Sequence, residues 1–221
     1  MKLFFEAIIK FLFGVIIIAL LLFLPAGSLS YWNAWLFMGI LFIPMFIAGI
    51  ILILINPELL KKRLNAKEKE NEQKEVIILS GIMFISGFII AGLNYRYNWI
   101  HLPNIVVIIS TIIFILSYLL YAEVLRENTY LSRTIEVTKD QHVIDTGLYG
   151  IVRHPMYMIT LLLFLSIPLI LDSIISLIIF LIYPFLIVKR IKNEEQVLEK
   201  ELNGYTEYKK KVKYKLIPFI W

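Results

Sequence analysis

The sequence predicts an all-α integral membrane protein with four transmembrane helices, a C-terminal helical hairpin and a cytoplasmic C-terminal helix. The chain has 221 residues, of which 59% are hydrophobic and only 18% are charged, whereas a soluble domain is about half apolar and a quarter charged. Its mean hydropathy is +0.79, and the apolar residues fall in long runs. The chain has no cysteine, which excludes disulfides and thiolate metal sites, and we predict no metal site of another kind.

Four apolar runs have the length of a membrane span. About 20 residues at a helical rise of about 1.5 Å cross the hydrocarbon core. The runs cover residues 4–24, 31–55, 76–93 and 103–122. Tyr31 and Trp32 begin the second run as an interfacial aromatic belt, and Pro103 stands at the start of the fourth. In the third run, Gly87 and Ala91 predict a face where two helices approach closely.

A fifth apolar region, residues 156–189, is too long for one simple span. Pro168 disturbs a helix, and Asp172 with Ser173 favours a turn. We therefore predict two helices of about 14 residues, each about 21 Å long, joined by a tight turn. Residues 1–125 then hold the first four spans. Residues 126–221 hold a polar loop, the hairpin and the cytoplasmic segment of the same structural domain.

Lysine and arginine are distributed unevenly among the predicted loops. Six lie between residues 56 and 75, four between 126 and 155 and nine from 189 onward, whereas Arg96 lies in an opposite loop. Short loops rich in these residues stay in the cytoplasm, which predicts cytoplasmic termini and a cytoplasmic site. The net charge of +5 then indicates anionic lipid rather than nucleic acid as the partner. The loop 56–75 is predicted to be a solvated, helix-forming connector near lipid headgroups.

Two polar clusters, residues 147–157 and 190–195, flank the predicted hairpin. Polar groups at a bilayer surface are costly to bury, so their concentration at both ends of one apolar segment predicts a site. In the first cluster, glycines flank Tyr149, where backbone amides can approach a ligand. Pro155 is placed to begin a helix with His154 at its cap, and such a helix start favours an anionic ligand group, for example a carboxylate.

The second cluster contains an arginine and two adjacent glutamates. Arg190 and Glu194 share a helical face, and Glu195 follows directly. A pair of carboxylates suits a cationic ligand, whereas the arginine fork can hold a carboxylate in two parallel hydrogen bonds. Upstream of both clusters, alternation over residues 135–138 predicts a short extended piece, and residues 139–140 predict a turn.

These clusters and the C-terminal tail carry a motif pattern that resembles a known superfamily. The pattern is Gly-x-Tyr-x-x-x-Arg-His-Pro-x-Tyr, then Arg-x-x-x-Glu-Glu, then a tail with spaced tyrosines before a proline. The matching residues are Gly147, Tyr149, Arg153, His154, Pro155, Tyr157, Arg190, Glu194, Glu195, Gly204, Tyr205, Tyr208 and Pro218. Over roughly residues 130–221 the chain is similar to the isoprenylcysteine carboxyl methyltransferase and phospholipid N-methyltransferase superfamily.

The resemblance implies a membrane methyltransferase that binds S-adenosylmethionine between the hairpin and the C-terminal segment. Arg190 would meet the substrate and is, with Glu194, the implied catalytic pair. Thr134 stands where the carboxyl methyltransferases have a glutamine, which is a departure near the cofactor contacts. The positions that the resemblance assigns to the cofactor are Gln141, His142, Val143, Ile144, Tyr149, His154, Pro155, Met156, Tyr157, Glu194 and Glu195.

The implied partners are membrane lipids and a lipophilic or lipidated substrate. An isoprenylcysteine-type carboxylate, which needs no base, is the first acceptor, and a phospholipid amine, for which a glutamate would be the base, is the alternative. Two other classes stay open, namely an NADPH-dependent membrane reductase and a non-catalytic membrane binding protein. The tail with Tyr205, Tyr208 and residues 209–211 is predicted to anchor at anionic lipid rather than to contact the cofactor.

Overall fold

The structure, a computed structural model, describes residues 2–65, 71–131, 137 and 141–221. The regular structure in these ranges is helical, and a short 3-10 helix, Gly147–Gly150, precedes α6. The helices are α1 (Lys2–Ala26), α2 (Trp32–Ile55), α3 (Pro57–Leu64), α4 (Asn71–Tyr97), α5 (Asn104–Glu127), α6 (Pro155–Ile170), α7 (Ile174–Phe180), α8 (Tyr183–Glu201) and α9 (Tyr205–Lys211).

Five stretches of the described helices are long and apolar enough to cross a membrane, so the chain is a helical membrane protein. They are Lys2–Ala26, Trp32–Ile55, Gln73–Tyr97, Asn104–Glu127 and Ile174–Glu201. The first four correspond to the four predicted spans. α1, α4 and α5 extend beyond the predicted apolar runs because a helix continues into polar residues at the interface. The shorter α6 is also apolar.

Small residues bring α4 close to two neighbouring helices. A Cβ atom at Gly92 would lie 2.6 Å from the carbonyl oxygen of Leu22, so α1 and α4 meet through their backbones. A Cβ atom at Gly87 would overlap the Phe180 ring of α7. Ala91, between these two glycines, is fully buried. The close-packing face predicted at Gly87 and Ala91 is therefore confirmed, and it extends to Gly92.

The predicted helix-forming connector after α2 begins with the helix α3. The Asn56 side chain caps α3 by accepting a hydrogen bond from the Leu59 amide at 3.1 Å, and Pro57 occupies its first turn. Leu59 and Leu60 are buried, because α3 turns one face towards the bundle. The predicted helix is therefore confirmed for this part of the loop, but one of its faces is buried rather than solvated.

After α5 the chain folds back through α6, a turn at residues 171–173, and α7 followed by α8. The Tyr183 hydroxyl donates to the Thr160 hydroxyl at 2.9 Å, so the return arm lies beside α6. This arm is divided between α7 and α8 rather than forming the single helix predicted. The division comes just before Pro184, which has no N–H to continue the hydrogen-bond ladder of the preceding helix.

The turn of this hairpin is tied to the α4–α5 loop through Asp172. Its backbone has φ +56°, and its carboxylate accepts a hydrogen bond from the Leu102 amide at 2.5 Å and lies 2.6 Å from His101 Nδ1. Asn94 Nδ2 donates to the Asp172 carbonyl at 2.9 Å. These contacts lie at the end of the bundle opposite to the polar clusters.

The C-terminal segment completes the other end of the bundle. α9 begins after Gly204, which takes φ +85°, and the chain then runs alongside the start of α6. The amide of Arg153 donates to the Tyr214 carbonyl at 2.9 Å, and the amide of His154 donates to the Lys215 carbonyl at 2.8 Å. The polar segment ahead of α6 is thereby held between α8 and the C-terminal segment.

Candidate active site

An open pocket lies where α6 begins and the polar half of α8 leaves the bundle. It brings together all the predicted catalytic and cofactor residues except Glu195. Those that line it are Gln141, His142, Val143, Ile144, Tyr149, His154, Pro155, Met156, Tyr157, Arg190 and Glu194. The two polar clusters of the sequence are therefore adjacent in space, because the hairpin returns the chain to the same end of the bundle.

Tyr157 joins the two predicted catalytic residues. Its hydroxyl donates a hydrogen bond to Glu194 Oε2 and accepts one from Arg190 Nε, the latter at 2.8 Å. The Arg190 guanidinium also lies 5.7 Å from the centroid of the Tyr157 ring. Tyr157 is buried, so it fixes the two charged side chains at the pocket wall. This arrangement presents a cation and an anion to the same space.

Glu195 lies beneath the pocket instead of lining it. Its carboxylate accepts a hydrogen bond from Arg153 Nε at 2.8 Å, lies 3.3 Å from His154 Nε2 and lies 3.0 Å from Lys215 Nζ. The side chains of Arg153 and Glu195 are only 5% and 6% exposed. A buried carboxylate in contact with Arg153, Lys215 and the His154 ring holds the segments around it together, so its position is structural.

Arg153 extends this buried network to the C-terminal segment. Its Nη1 donates to the carbonyl oxygens of Val212 and Lys213 at 2.7 and 2.9 Å. The guanidinium therefore satisfies two backbone acceptors in addition to Glu195. The sequence motif contained Arg153, but we assigned it no contact, because only the folded C-terminal segment supplies its partners.

His154 caps α6 through its backbone, and Pro155 is the first residue of that helix, as predicted. The imidazole makes no cap hydrogen bond. It faces Glu195 instead and stacks on the Tyr157 ring, with centroids 5.8 Å apart and planes at 26°. The ring thus connects the buried network to the pocket wall.

The outer wall is formed by residues 141–149 with the chain that follows α5. Asn128 Nδ2 donates to the Tyr149 hydroxyl at 3.0 Å, and Tyr130 contacts the His142 ring edge to face, with centroids 5.2 Å apart. Burial raises the pKa of Tyr149 above its ordinary value, so its hydroxyl is neutral at neutral pH. The wall is therefore aromatic and carries hydrogen-bonding groups.

α9 attaches to this wall at two points. The Tyr208 hydroxyl donates to the Tyr149 carbonyl at 2.8 Å. Lys211 Nζ lies 2.6 Å from Asp145 Oδ2, and this hydrogen bond and charge hold the pKa of the Asp145 carboxyl below its ordinary value. The segment 141–149 is therefore fixed between α5 and α9.

The pocket also contains residues that the sequence did not assign to the site. They are Asn128, Tyr130, Leu131, Arg153, Leu198, Leu202, Tyr205 and Tyr208. The tail tyrosines are 4% and 5% exposed, so the prediction that they anchor the tail at the lipid surface is wrong. Their spacing of three residues, which puts both rings on one side of a helix, was the signal for a buried face.

The hydroxyl of Tyr205 is buried and has no hydrogen-bond partner among the described residues. Burial and the charges of Glu195 and Glu194 raise the pKa of this hydroxyl, so it remains a donor at neutral pH. A buried donor without an acceptor is costly. In a residue that lines a pocket, such a group is suited to meet a ligand acceptor.

Thr134, the turn at residues 139–140 and all of the extended piece 135–138 except Val137 lie outside the described residues. Within the described ranges there is no group of three or more His, Asp and Glu side chains arranged to hold a metal ion.

Comparison with known families gives one match. Residues 107–200 match the model of the isoprenylcysteine carboxyl methyltransferase (ICMT) family. The matched segment begins within α5 and ends within α8, and it contains Arg190, Glu194 and the segment 141–157. The superfamily resemblance of the sequence is thereby confirmed, and it indicates a membrane methyltransferase. No curated protein matches the chain.

Proposed function

We propose, from the match of residues 107–200 to the ICMT family, that this chain is an S-adenosylmethionine-dependent methyltransferase of a lipophilic acceptor. The acceptor that we place first is an isoprenylcysteine-type carboxylate, and the alternative is a phospholipid amine. One observation carries the proposal. Residues 141–144, 149 and 153–157 line one pocket together with Arg190 and Glu194, although the whole hairpin separates the two groups in sequence.

The residues of the pocket fit the proposed cofactor. Bound S-adenosylmethionine would supply an electrophilic methyl group on a sulfonium. Glu194 provides a negative charge for a cationic group, and the Tyr205 hydroxyl is a donor without an acceptor among the residues that the structure describes. Val143 and Ile144 give an apolar surface beside the aromatic wall. A ligand with a cation, polar groups and a flat ring system matches this donor set.

In this mechanism the protein acts mainly by positioning. Methyl transfer needs the acceptor atom in line with the methyl group, with water excluded. Arg190, held against the ring and hydroxyl of Tyr157, would orient an acceptor carboxylate through its planar fork. A carboxylate needs no base. An amine would instead transfer its proton to a nearby base, for which Glu194 is the candidate.

The substrate would reach Arg190 from the bilayer, and the soluble cofactor would reach the pocket from the cytoplasm. This arrangement rests on the lysine and arginine bias, which predicts that the pocket end of the bundle is cytoplasmic. Membrane lipids and a lipophilic substrate are then the partners, with no role for nucleic acid.

The test is titration of the purified protein with S-adenosylhomocysteine by calorimetry. We expect saturable binding by the wild-type chain and at least a tenfold weaker affinity in Glu194→Gln, because the variant removes the charge that faces the ligand. Glu201→Gln is the matched control, since Glu201 lies on the same helix, is exposed and does not line the pocket.

Two outcomes would count against the proposal. Folded wild-type protein that binds NADPH but not S-adenosylhomocysteine would favour a reductase. Methyl transfer that persists in the double variant Arg190→Ala, Glu194→Ala would remove the catalytic assignment of these residues.

A further inference from the structure

The chain after α9 closes into a turn over residues 216–221, which we call the C-terminal turn. The amides of Leu216 and Ile217 donate to the main-chain oxygen of Trp221 at 2.8 and 3.0 Å, and the amide of Ile220 donates to the Ile217 carbonyl at 3.1 Å. Leu216 is buried in the hydrophobic core of the bundle, and Trp221 packs against that core. The turn therefore has a fixed shape and a fixed position on the bundle.

The outer face of the C-terminal turn is apolar. Ile217, Phe219 and Ile220 are exposed, Phe219 to 86% and Ile220 to 77%. Exposure of this size also occurs at Ile55 (78%) and Phe185 (75%), which lie in stretches that are long and apolar enough to cross a membrane. An exposed apolar patch of this kind marks a surface that lipid or protein covers.

The backbone holds Phe219 in an unfavourable conformation. Its φ is +66°, a region that bulky side chains rarely adopt. The centroid of its ring lies 5.4 Å from that of Tyr214, and most of the ring is turned away from the protein. The fold thus holds backbone strain at a side chain that contributes little internal packing, and strain of this kind is typical of functional positions.

The C-terminal turn lies at the level where α6 begins. The amides of Arg153 and His154, directly before α6, donate to the carbonyls of Tyr214 and Lys215, directly before the turn. The 16 residues of α6 span about 24 Å at the helical rise, which is less than a hydrocarbon core of about 30 Å. Its other end adjoins Asp172, which binds the α4–α5 loop at the opposite end of the bundle. The start of α6 and the turn beside it therefore lie close to the boundary between acyl chains and headgroups.

We propose that the C-terminal turn is an interfacial anchor, in which Ile217, Phe219 and Ile220 enter the bilayer at the boundary between headgroups and acyl chains on the pocket side. The occupant of the apolar face is lipid rather than protein, because the turn packs on the spans at the level where their lipid-facing surface ends. Aromatic and branched apolar side chains bind this boundary through the apolar area that they bury there. The inference goes beyond the proposed function and does not depend on methyl transfer.

The anchor is joined to the buried network beneath the pocket. Arg153 Nη1 donates to the carbonyls of Val212 and Lys213, and Lys215 Nζ lies 3.0 Å from the Glu195 carboxylate. Residues 212–215 lead directly into the turn. An anchored turn therefore fixes the depth of the pocket floor relative to the bilayer.

The test uses the absence of cysteine, which lets one environment-sensitive fluorophore be attached at one introduced thiol. The full chain is placed in phosphatidylcholine nanodiscs, which leave both faces open to solvent, as Phe219→Cys, Ile220→Cys, Leu162→Cys or Glu201→Cys. Leu162, an exposed residue of α6, marks a deep lipid-facing position. Glu201, an exposed residue at the end of α8, marks an aqueous one.

Fluorescence quenching is measured with aqueous iodide and with lipids that carry a spin label near the headgroup or deep in the acyl chain. We expect the shallow label to quench Phe219→Cys and Ile220→Cys at least about threefold more strongly than Glu201→Cys, because the side chains of the turn lie at the boundary. Iodide should show the opposite order. The deep label should quench Leu162→Cys more strongly than either position of the turn. Circular dichroism shows that each variant is folded, and the second turn position keeps the test available if one variant does not fold.

Turn positions that iodide quenches as strongly as Glu201→Cys would overturn the inference, because the apolar face would then be solvated. Turn positions shielded from iodide and from both lipid labels would also overturn it, since a protein surface such as a second copy of the chain would then cover the face. Quenching by the deep label equal to that of Leu162→Cys would contradict the boundary position. None of these measurements involves the cofactor, so a failure of the proposed function is distinguishable from a failure of this inference.

Discussion

Glu194 and Glu195 are neighbours in sequence with different surroundings. Successive residues of an α-helix point about 100° apart. Glu194 therefore meets Tyr157 and the pocket, whereas Glu195 meets Arg153 and the C-terminal segment. Adjacent carboxylates in one motif can thus have different roles. One faces the pocket, where a ligand would bind, and the other holds together the segments that form the pocket.

Glu195→Gln tests the structural half of this division. We expect the variant to lower the free energy of unfolding by about 3 kcal/mol, because Arg153 is left as a buried charge without its carboxylate. Thermal unfolding in detergent without ligand measures the change. Glu194→Gln is the control and should lower it by about 1 kcal/mol or less, since it weakens one hydrogen bond. Equal melting temperatures in the two variants would contradict the assignment.

Removal of the Tyr205 hydroxyl and removal of the Tyr208 hydroxyl should change the stability of the protein in opposite directions. Tyr205→Phe removes a buried hydroxyl that has no hydrogen-bond partner in the described part of the chain, so we expect the ligand-free protein to gain up to about 1 kcal/mol of stability. Tyr208→Phe removes the donor to the Tyr149 carbonyl and should cost about 1 kcal/mol.

The same two variants are then titrated with S-adenosylhomocysteine. A several-fold weaker affinity in Tyr205→Phe, despite its higher melting temperature, would show that the ligand supplies the missing acceptor. A Tyr205→Phe protein that is as destabilised as Tyr208→Phe would mean that the hydroxyl is already satisfied in solution.

At the scale of the helices, the close contact between α1 and α4 depends on Gly92, which has no side chain. We expect Gly92→Ala to cost about 1 to 3 kcal/mol of stability, because the new methyl group meets the Leu22 carbonyl, which cannot move without the helix. Gly81 lies on the same helix with nothing within 4 Å of its would-be Cβ. Gly81→Ala should therefore be neutral or slightly stabilising. Thermal unfolding of both variants measures the two changes in stability. A Gly92→Ala protein as stable as the wild type would contradict the close contact between α1 and α4.

The long helices could be predicted from the sequence because each spans an apolar run of membrane length. The divided return arm of the hairpin could not, since Pro184 lies inside an apolar stretch and its effect depends on where the preceding helix ends. For α3, the sequence predicted a helix but not its buried face. Its two buried leucines are followed directly by three cations, and local composition therefore favoured a solvated helix, while burial depends on contacts with α2 and its neighbours.

At the scale of the whole molecule, the two ends of the bundle differ in chemistry. One end carries the pocket, with Arg190 beside it, and the other carries Arg96 and the contacts of Asp172 with the α4–α5 loop. Segments from both halves of the chain meet at the pocket end. The positive-inside rule predicts that this end faces the cytoplasm.

The absence of cysteine makes this orientation directly testable, since any introduced cysteine is unique. Glu201→Cys places a thiol at the pocket end, and Ser30→Cys places one in the loop after α1; both positions are exposed. We expect a membrane-impermeant maleimide to label Ser30→Cys in intact cells, and Glu201→Cys only after permeabilisation. The reverse pattern would place the pocket outside the cell and contradict a cytosolic supply of cofactor.

Much of the candidate site could be predicted because its residues lie in two short motifs with fixed spacing. The remainder depends on tertiary contacts. Tyr205 and Tyr208 follow a charged helix end and precede three lysines, so their sequence environment favours a surface tail. Only the packing of α9 against residues 141–149 buries them. It is therefore easier to predict from motifs which groups face the pocket than to predict which segments enclose it.

The amides of Arg153 and His154 donate to the carbonyls of Tyr214 and Lys215, and this pairing has a consequence for biosynthesis. Translation proceeds from the N-terminus, so α6 and α8 can enter the bilayer before residues 212–216 have left the ribosome. Until then Arg153 lacks two of its acceptors and α9 cannot close the wall. A nascent chain would thus be inserted before the wall of the pocket is complete, and the pocket would close only after residues 212–216 have been synthesised.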